Sequence, residues 1–393
     1  MIGQSKENPS PGIKSDKSVE FIKDRRSGGE NQKMKPLVAP SFYSDPEVFK
    51  KEQVILFQNQ WNFVGFTTDL ENHNDYICKE IGGKSVVIQN FHGELRAFDN
   101  VCTHRFSRIR QEAQGNGPLQ CPYHGWIFNC EGIPVTIPLQ PKFNNMPDSE
   151  KESFKLGEWL VETCGVFIFI KKVDDKVTLK NFLGGMYNHL LDFSEAMGEK
   201  VDYQEIIIKA NWKIILENTL DSYHIWAVHP NSLGKYGAIE GYYWMDEPHS
   251  IYLSKAKKVD PKVKKFVSTF SEARKLTVDG YQHYLVFPLL TMSTLFGMSL
   301  NVHSLSPISP TETKVTNYAF MGKLNDSTLE QILLKMSRQA SGDLVKTVWD
   351  EDKPICEQVQ LGISSLDDLG GILSSDEQRV YEFQKTYVNL MNS

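Results

Sequence analysis

The sequence predicts an α+β protein built from a small β domain followed by a mixed helix-and-strand domain, and three observations lead there. The chain has 393 residues, beyond the size at which a single hydrophobic core stops growing. From Asn62 to about Lys172, short strand-forming runs alternate with Gly, Asn and Pro turns. Beyond Asp175, helical and strand periodicities mix.

The elements follow in order. Residues 1–35 have no apolar stretch and carry Glu7, Asp16, Glu20, Asp24 and Glu30, so they read as a disordered tail rather than a secretory or transit segment. Ser44-Asp45-Pro46-Glu47 is a helix start, a capping side chain before a first-turn proline, and it makes 36–60 a helical arm leading to Trp61. Ser85–Ile88 and Val166–Ile170 are strands of a β domain over 61–172. In 173–393, Gln204–Lys209 reads as a strand, Trp212–Ala227 as a helix and Tyr284–Ser304 as strand again. Ser374 and Glu377 form a capping box, and Val380, Phe383, Tyr387 and Leu390 at helical spacing predict a closing helix against the sheet.

Composition removes several function classes. Forty-three Lys+Arg against 49 Asp+Glu give a net charge of -6, the wrong sign for nucleic-acid binding. The longest uncharged run, Tyr284–Leu300, contains Pro288, Ser293, Thr294 and Gly297, so no membrane span is expected. Six cysteines spread over a long chain, two of them near histidines, suggest metal chemistry in a reducing compartment and a cytoplasmic protein. Neither GxGxxG nor GxxxxGK occurs in the right context, so reducing power from a nicotinamide must arrive through another protein.

Cys102-Thr103-His104, then sixteen residues, then Cys121-Pro122-Tyr123-His124-Gly125-Trp126 offers two thiolates and two imidazoles on separate loops. Such pairs can grip a [2Fe-2S] cluster asymmetrically, Cys102 and Cys121 on one iron and His104 and His124 on the other. Neutral imidazoles raise the potential to about -150 to +300 mV, against about -400 mV for all-cysteine plant-type clusters. A Cys2His2 set can also close around Zn²⁺, although zinc-finger pairs are spaced by two to four and three to five residues. The block resembles the Rieske domain, with Phe106 where many relatives have glycine.

A second constellation runs from Glu217-Asn218 through Asp221 and His224 to His229-Pro230. Asp221 and His224 share a helix face, but His229 lies about 140° further around a regular helix. Both imidazoles meet one metal only if the helix distorts, and Pro230 disfavours α geometry at His229. Two histidines and a carboxylate form the facial triad of non-haem Fe(II) oxygenases. Asp350, Glu351 and Asp352 are all competent as the third ligand, or as an acidic cluster solvated near a helix start at Pro354.

Taken together, the chain resembles the large (α) subunit of Rieske-type non-haem iron aromatic-ring-hydroxylating oxygenases from about Lys35 to the C-terminus. The resemblance implies a Rieske [2Fe-2S] domain held by Cys102, His104, Cys121 and His124. It also implies a helix-grip-like antiparallel sheet with covering helices, where mononuclear Fe(II) sits on His224, His229 and Asp352. Asp221 would bridge His224 to His124 of the partner subunit in a head-to-tail ring, usually a homotrimer, with or without a small β subunit. An NAD(P)H-dependent reductase or ferredoxin would supply electrons, and O₂ would be used to cis-dihydroxylate, monohydroxylate or oxidatively demethylate a small organic substrate. Choline- and carnitine-type members usually carry glutamate where Asp221 stands. An electron carrier or metal-stabilised binding protein is the other reading, and it leaves the second constellation idle. Tyr242-Tyr243-Trp244 is expected to pack in the core or on a strand face rather than cage a cation. Leu285, Phe287 and Leu289 are expected to alternate along one strand lining the substrate pocket. The remaining histidines, His283 and His303 among them, read as surface or satisfied core residues.

Overall fold

The computed structural model describes residues 22–23, 34–230, 232–233, 239–256, 261–270, 272–367 and 371–392. Most of the tail expected over 1–35 lies outside them. Within it, β1 (Ile22–Lys23) pairs with Tyr242 and Tyr243, and Met34 bridges to Leu373. A 3-10 turn at Pro40–Tyr43 precedes α1 (Pro46–Ile55), which begins at the predicted proline. The chain then divides into two compact units, Lys50–Leu191 on one side and the residues up to Phe49 with those from Asp192 on the other.

The first unit is a β structure of β2 (Asn62–Phe66), β3 (Asp75–Ile81), β4 (Lys84–Phe91), β5 (Glu94–Asp99), β6 (Gln114–Asn116), β7 (Ile127–Phe128), β8 (Pro134–Thr136), β9 (Glu158–Cys164) and β10 (Phe167–Lys171). Seven strands form one antiparallel sheet in the order β2-β10-β9-β5-β4-β3-β6, and β7 pairs with β8. Val86, Val87 and Ile88 bury both faces of the central β4, as their continuous apolar run requires. Short helix α2 (Asp148–Lys151) lies between β8 and β9, α3 (Leu179–Leu183) follows β10, and α4 (Met186–Ala196) leads out of the unit.

The second unit is organised by one eight-stranded antiparallel sheet. Its strands are β11 (Met197–Ile208), β12 (Ile239–Asp246), β13 (His249–Ala256), β14 (Tyr281–Val286), β15 (Leu290–Leu295), β16 (Ser299–Ser309) and β17 (Glu312–Gly322), with β1 at one edge and β11 at the other. The stretch expected as strand over Tyr284–Ser304 is therefore three strands. Pro288, which has no N–H for a ladder, falls in the first turn, and Phe296 and Gly297 at φ +55 and +66 form the second. Because β14 ends at Val286, only Leu285 of the expected Leu285, Phe287, Leu289 alternation stands on the strand. Among the described residues the unit is completed by helices α5 (Trp212–Leu220), α6 (Ile225–Val228), α7 (Pro261–Phe270), α8 (Ser327–Ile363) and α9 (Gln378–Met391). The expected Ser374/Glu377 capping box precedes α9, with Glu377 Oε2 accepting from Ser374 N at 2.7 Å, and Asn211, not singled out in the sequence, caps α5 by accepting from Lys213 N. Among the described residues no helix is long and apolar enough to cross a membrane.

Candidate metal centres

In the first unit, two loops of matching backbone geometry carry the Cys/His pairs. Phe106 N donates to Cys102 O at 2.9 Å and Gly125 N to Cys121 O at 3.0 Å. The cysteine amides donate in turn to Ser107 O and Trp126 O. In both turns the fifth residue has positive φ, +60 at Phe106 and +74 at Gly125. Glycine adopts this conformation freely, whereas phenylalanine does so at a cost, so the departure from glycine at 106 carries backbone strain. The Phe106 ring is 78% exposed and gains no packing in compensation.

The loops are pinned from behind. Arg110 lies over the Tyr76 ring at 4.0 Å and donates to Gly117 O and Pro118 O at 2.6 and 2.7 Å. Cys102 and Cys121 are buried with Trp126, Phe128 and Ile137 in the core beneath, and their thiols are in hydrogen-bonding contact. The His104 and His124 rings face each other edge-on at 4.6 Å, and His104 stacks on Trp126 at 4.8 Å.

This donor set fits a two-iron cluster. His104 Nδ1 is buried with no hydrogen-bond partner, as a nitrogen reserved for a metal would be. Burial pushes the Cys102 thiol up to about 11 and pushes His104 down, favouring the uncharged imidazole. Loading the thiol with metal must therefore release its proton. Among the described residues, the donor atoms that all converge within 4.8 Å belong to His224, His229 and Asp352.

In the second unit the expected helix over Trp212–Ala227 is interrupted. It stops at Leu220, Asp221 is extended at φ -83 and ψ 135, and the chain resumes as the short α6. Asp221 and His224 thus meet across a turn rather than on a helix face: Asp221 Oδ1 accepts from Tyr223 N at 2.5 Å, and Oδ2 lies 3.0 Å from His224 Nδ1. His229 stands just past α6 at φ -114 and ψ 41, outside α geometry as Pro230 demands. The two Nε2 atoms come to 3.3 Å.

Asp352 arrives from the middle of α8. Pro354 lies inside that helix, so the acidic triplet is not a solvated helix start. Proline removes the N–H that would bond the Asp350 carbonyl, leaving the backbone local freedom at this turn. Asp352 Oδ1 lies 3.0 Å from His229 Nε2 and 3.7 Å from His224 Nε2, yet makes no hydrogen bond of proper geometry and is buried. Glu351, considered in the sequence only as an alternative ligand, has another position. Its Oε2 accepts at 2.7 Å from His229 Nδ1 and at 2.5 Å from Ser232 Oγ. Residues 351 and 352 point about 100° apart on a helix, so one can orient the imidazole while the other faces the metal position. Burial lowers the His229 pKa, but the Asp352 and Glu351 carboxylates outweigh it and raise the group, so a metal there competes with a proton.

A buried orphan carboxylate oxygen and two imidazoles with oriented Nδ1 atoms fit the 2-His-1-carboxylate donor set of Fe(II). Behind it, Trp349 Nε1 donates to Asn317 Oδ1 at 3.0 Å, holding α8 on the sheet. His303 departs from expectation: its Nε2 is buried without a partner.

Comparison with known proteins agrees with this construction. The Rieske [2Fe-2S] domain family matches residues 60–147, and the ring hydroxylating alpha subunit (catalytic domain) family matches residues 191–393. The glycine betaine monooxygenase oxygenase subunit of Chromohalobacter salexigens is 31% identical over 205 residues, covering 50% of this chain and 44% of that protein. The anthranilate 1,2-dioxygenase large subunit of Acinetobacter baylyi is 28% identical over 203 residues, covering 49% and 42%. The chain spans about half the length of the curated relatives it matches. In fold, it is similar to a quaternary ammonium Rieske monooxygenase crystallised with L-carnitine, with a TM-score of 0.70 at 20% identity over 91% of this chain and 95% of that one. A Rhodococcus naphthalene 1,2-dioxygenase bound to indole gives 0.73 at 18% identity over 90% and 94%. With a family match over more than half of its length and a Rieske match before it, the chain belongs to the ring-hydroxylating oxygenase alpha-subunit family and carries the Rieske [2Fe-2S] and mononuclear-iron domains of that family.

Proposed function

We propose that this chain is the terminal oxygenase component of a Rieske oxygenase system, hydroxylating or oxidatively demethylating a small organic substrate with O₂. The observation that carries the reading is the convergence of His224 Nε2, His229 Nε2 and Asp352 Oδ1, with both imidazoles held from behind by carboxylates. In this reading Cys102, His104, Cys121 and His124 hold the cluster, and His224, His229 and Asp352 hold Fe(II). When bound, the cluster supplies single electrons and the ferrous iron supplies open positions for O₂.

The chain's own part is orientation. Asp221 keeps the His224 proton on Nδ1 and Glu351 does the same for His229, leaving each Nε2 lone pair aimed at the shared point. Asp221 is the bridging group of the proposal: one oxygen sits on His224, and in a head-to-tail ring, a homotrimer with or without a small β subunit, it would also meet His124 of the partner subunit. The domain limits proposed are 61–172 for the cluster domain and 173–393 for the catalytic domain, after a 1–35 tail and a 36–60 arm. Electrons come from an NAD(P)H-dependent reductase or ferredoxin. A cytoplasmic setting accords with six free cysteines.

The test is a substrate screen with a compatible reductase under ¹⁸O₂, followed by mass spectrometry. The expected result is a product carrying ¹⁸O, or a demethylated product with labelled formaldehyde. Cluster reduction and reoxidation without oxygenated product across the panel would favour the electron carrier instead.

A further inference from the structure

Arg379 is a buried charged side chain of the catalytic unit that the proposed iron chemistry does not use. It sits in the first turn of α9, where the helix dipole disfavours a cation, and is 4% exposed. Its Nε and Nη2 donate to Ser250 Oγ at 3.2 and 3.0 Å, and Nη1 and Nη2 lie 3.3 Å from His283 Nδ1. The Tyr252 ring lies 5.9 Å away. Burial, with Arg379 and His303 beside it, pushes His283 well below its usual range, so it is a neutral acceptor. Among the described residues no carboxylate pairs with Arg379. Burial lowers its own pKa to about 10, which still leaves it charged near neutral pH. A buried guanidinium with only neutral partners is costly unless something supplies the opposite charge.

The register places this cation on the face that carries the iron-site neighbours. Ser250, Leu285, Thr291, His303 and Asn317 form one cross-strand row. Tyr252, His283, Ser293 and Asn301 form another two residues away, and so on the same face. Thr291 Oγ1, Asn301 Oδ1, His303 Nε2 and Asn317 Nδ2, all in these two rows, are buried without partners. The first row ends at Asn317, which accepts from Trp349 Nε1 on α8 three residues before Asp352, so the unpartnered groups lead from the guanidinium toward the helix that carries the proposed iron ligand.

We infer that Arg379 is the anion-recognition residue of the substrate site, and that the substrate carries a carboxylate that docks on its guanidinium. The inference rests on the oxygenase reading for the word substrate, and on Arg379, Ser250 and His283 for the anion site. One Nη1 proton remains uncommitted to protein, Ser250 and His283 fix the plane of the guanidinium, and a carboxylate there would hold the rest of the molecule toward His224, His229 and Asp352.

The test is equilibrium binding to the metal-loaded protein, anaerobic and without reductant, so that no turnover is needed. Two matched pairs serve as probes: benzoate against benzamide, and glycine betaine against choline. The carboxylate of at least one pair should bind about tenfold or more tightly than its uncharged-end partner. R379Q should cut that preference to about twofold or less with benzamide or choline binding unchanged, while R379K keeps part of it. Circular dichroism verifies that each variant is folded, and the wild-type comparison stands even if R379Q is not. No preference in either pair overturns the inference, as does a preference surviving R379Q, which would place the carboxylate on the iron. A carboxylate preference without any oxygenated product would leave the anion site standing and remove the oxygenase reading. Oxygenation with no such preference would do the reverse.

Discussion

The two candidate metal centres are built on opposite plans. Around Cys102, His104, Cys121 and His124 the backbone sets the geometry: two matched turns within a short stretch of chain, with a left-handed residue closing each. Around His224, His229 and Asp352 the side chains set it, because the ligands come from a helix break and from the interior of α8, and are aligned by Asp221 and Glu351. The first site should therefore tolerate changes in its surroundings and fail when a ligand is lost. The second should respond in graded fashion to residues that never touch metal.

The largest expected effect is at the first centre. Cys102→Ser should abolish the visible absorbance of the cluster while Fe(II) binding in the second unit persists. An unchanged visible spectrum would contradict the ligand assignment.

Orienting carboxylates come next. Glu351→Gln should weaken Fe(II) affinity by roughly 10–100-fold, measured by metal titration, since His229 loses the acceptor that fixes its ring. Asp221→Asn should keep both metal centres and a reducible cluster but slow single-turnover oxidation of that cluster by a large factor. If Asp221→Asn loses iron and transfers electrons normally, Asp221 is a ligand or structural group rather than a bridge. Equal metal affinity in Glu351→Gln and the parent would break the contrast between the two plans.

Legibility in the sequence follows the same division. The cluster ligands were readable because their spacing is local and the chemistry of Cys-x-His and Cys-x-x-His is narrow. Even the strain at Phe106 was visible as a departure from glycine. The helix break at Asp221 was not: Leu216, Leu220 and Tyr223 keep helical spacing across it, and the Asp221 side chain ends the helix by accepting from its own following backbone at Tyr223 N. Pro354 pointed to a helix start and instead lies inside α8, because packing of a long amphipathic helix on the sheet outweighs one missing hydrogen bond. The role of Glu351 needed the helix phase, and that of Arg379 needed strand register, both products of tertiary structure.

A smaller effect concerns the hub behind α5. Burial raises Glu217 to about 7, opposed by hydrogen bonds from Gln384 and Tyr43 and by the charge of Lys213. A carboxyl raised in the folded state stabilises the fold fully below its unfolded pKa and loses that contribution as pH rises through the folded value. Stability of this unit should therefore fall by about 3 kcal/mol from pH 4.5 to beyond 7 on account of Glu217. Glu217→Gln should flatten that slope in denaturant titrations, and an unchanged slope would show that another group carries it.

The smallest effect is Phe106→Gly. Relief of the left-handed conformation should stabilise the cluster loop by about 1 kcal/mol, raising the first unit's melting temperature without moving its absorbance. A lower melting temperature would mean that the exposed ring contributes packing.

The central claim is that one chain holds both a cluster and a separate mononuclear iron on His224, His229 and Asp352. It is tested most directly by iron and acid-labile sulfide analysis of the parent protein beside His224→Ala. His224→Ala should retain all its labile sulfide and an unaltered cluster spectrum while losing one iron per chain and all oxygenated product. Parent and variant with the same iron content and the same turnover would contradict it.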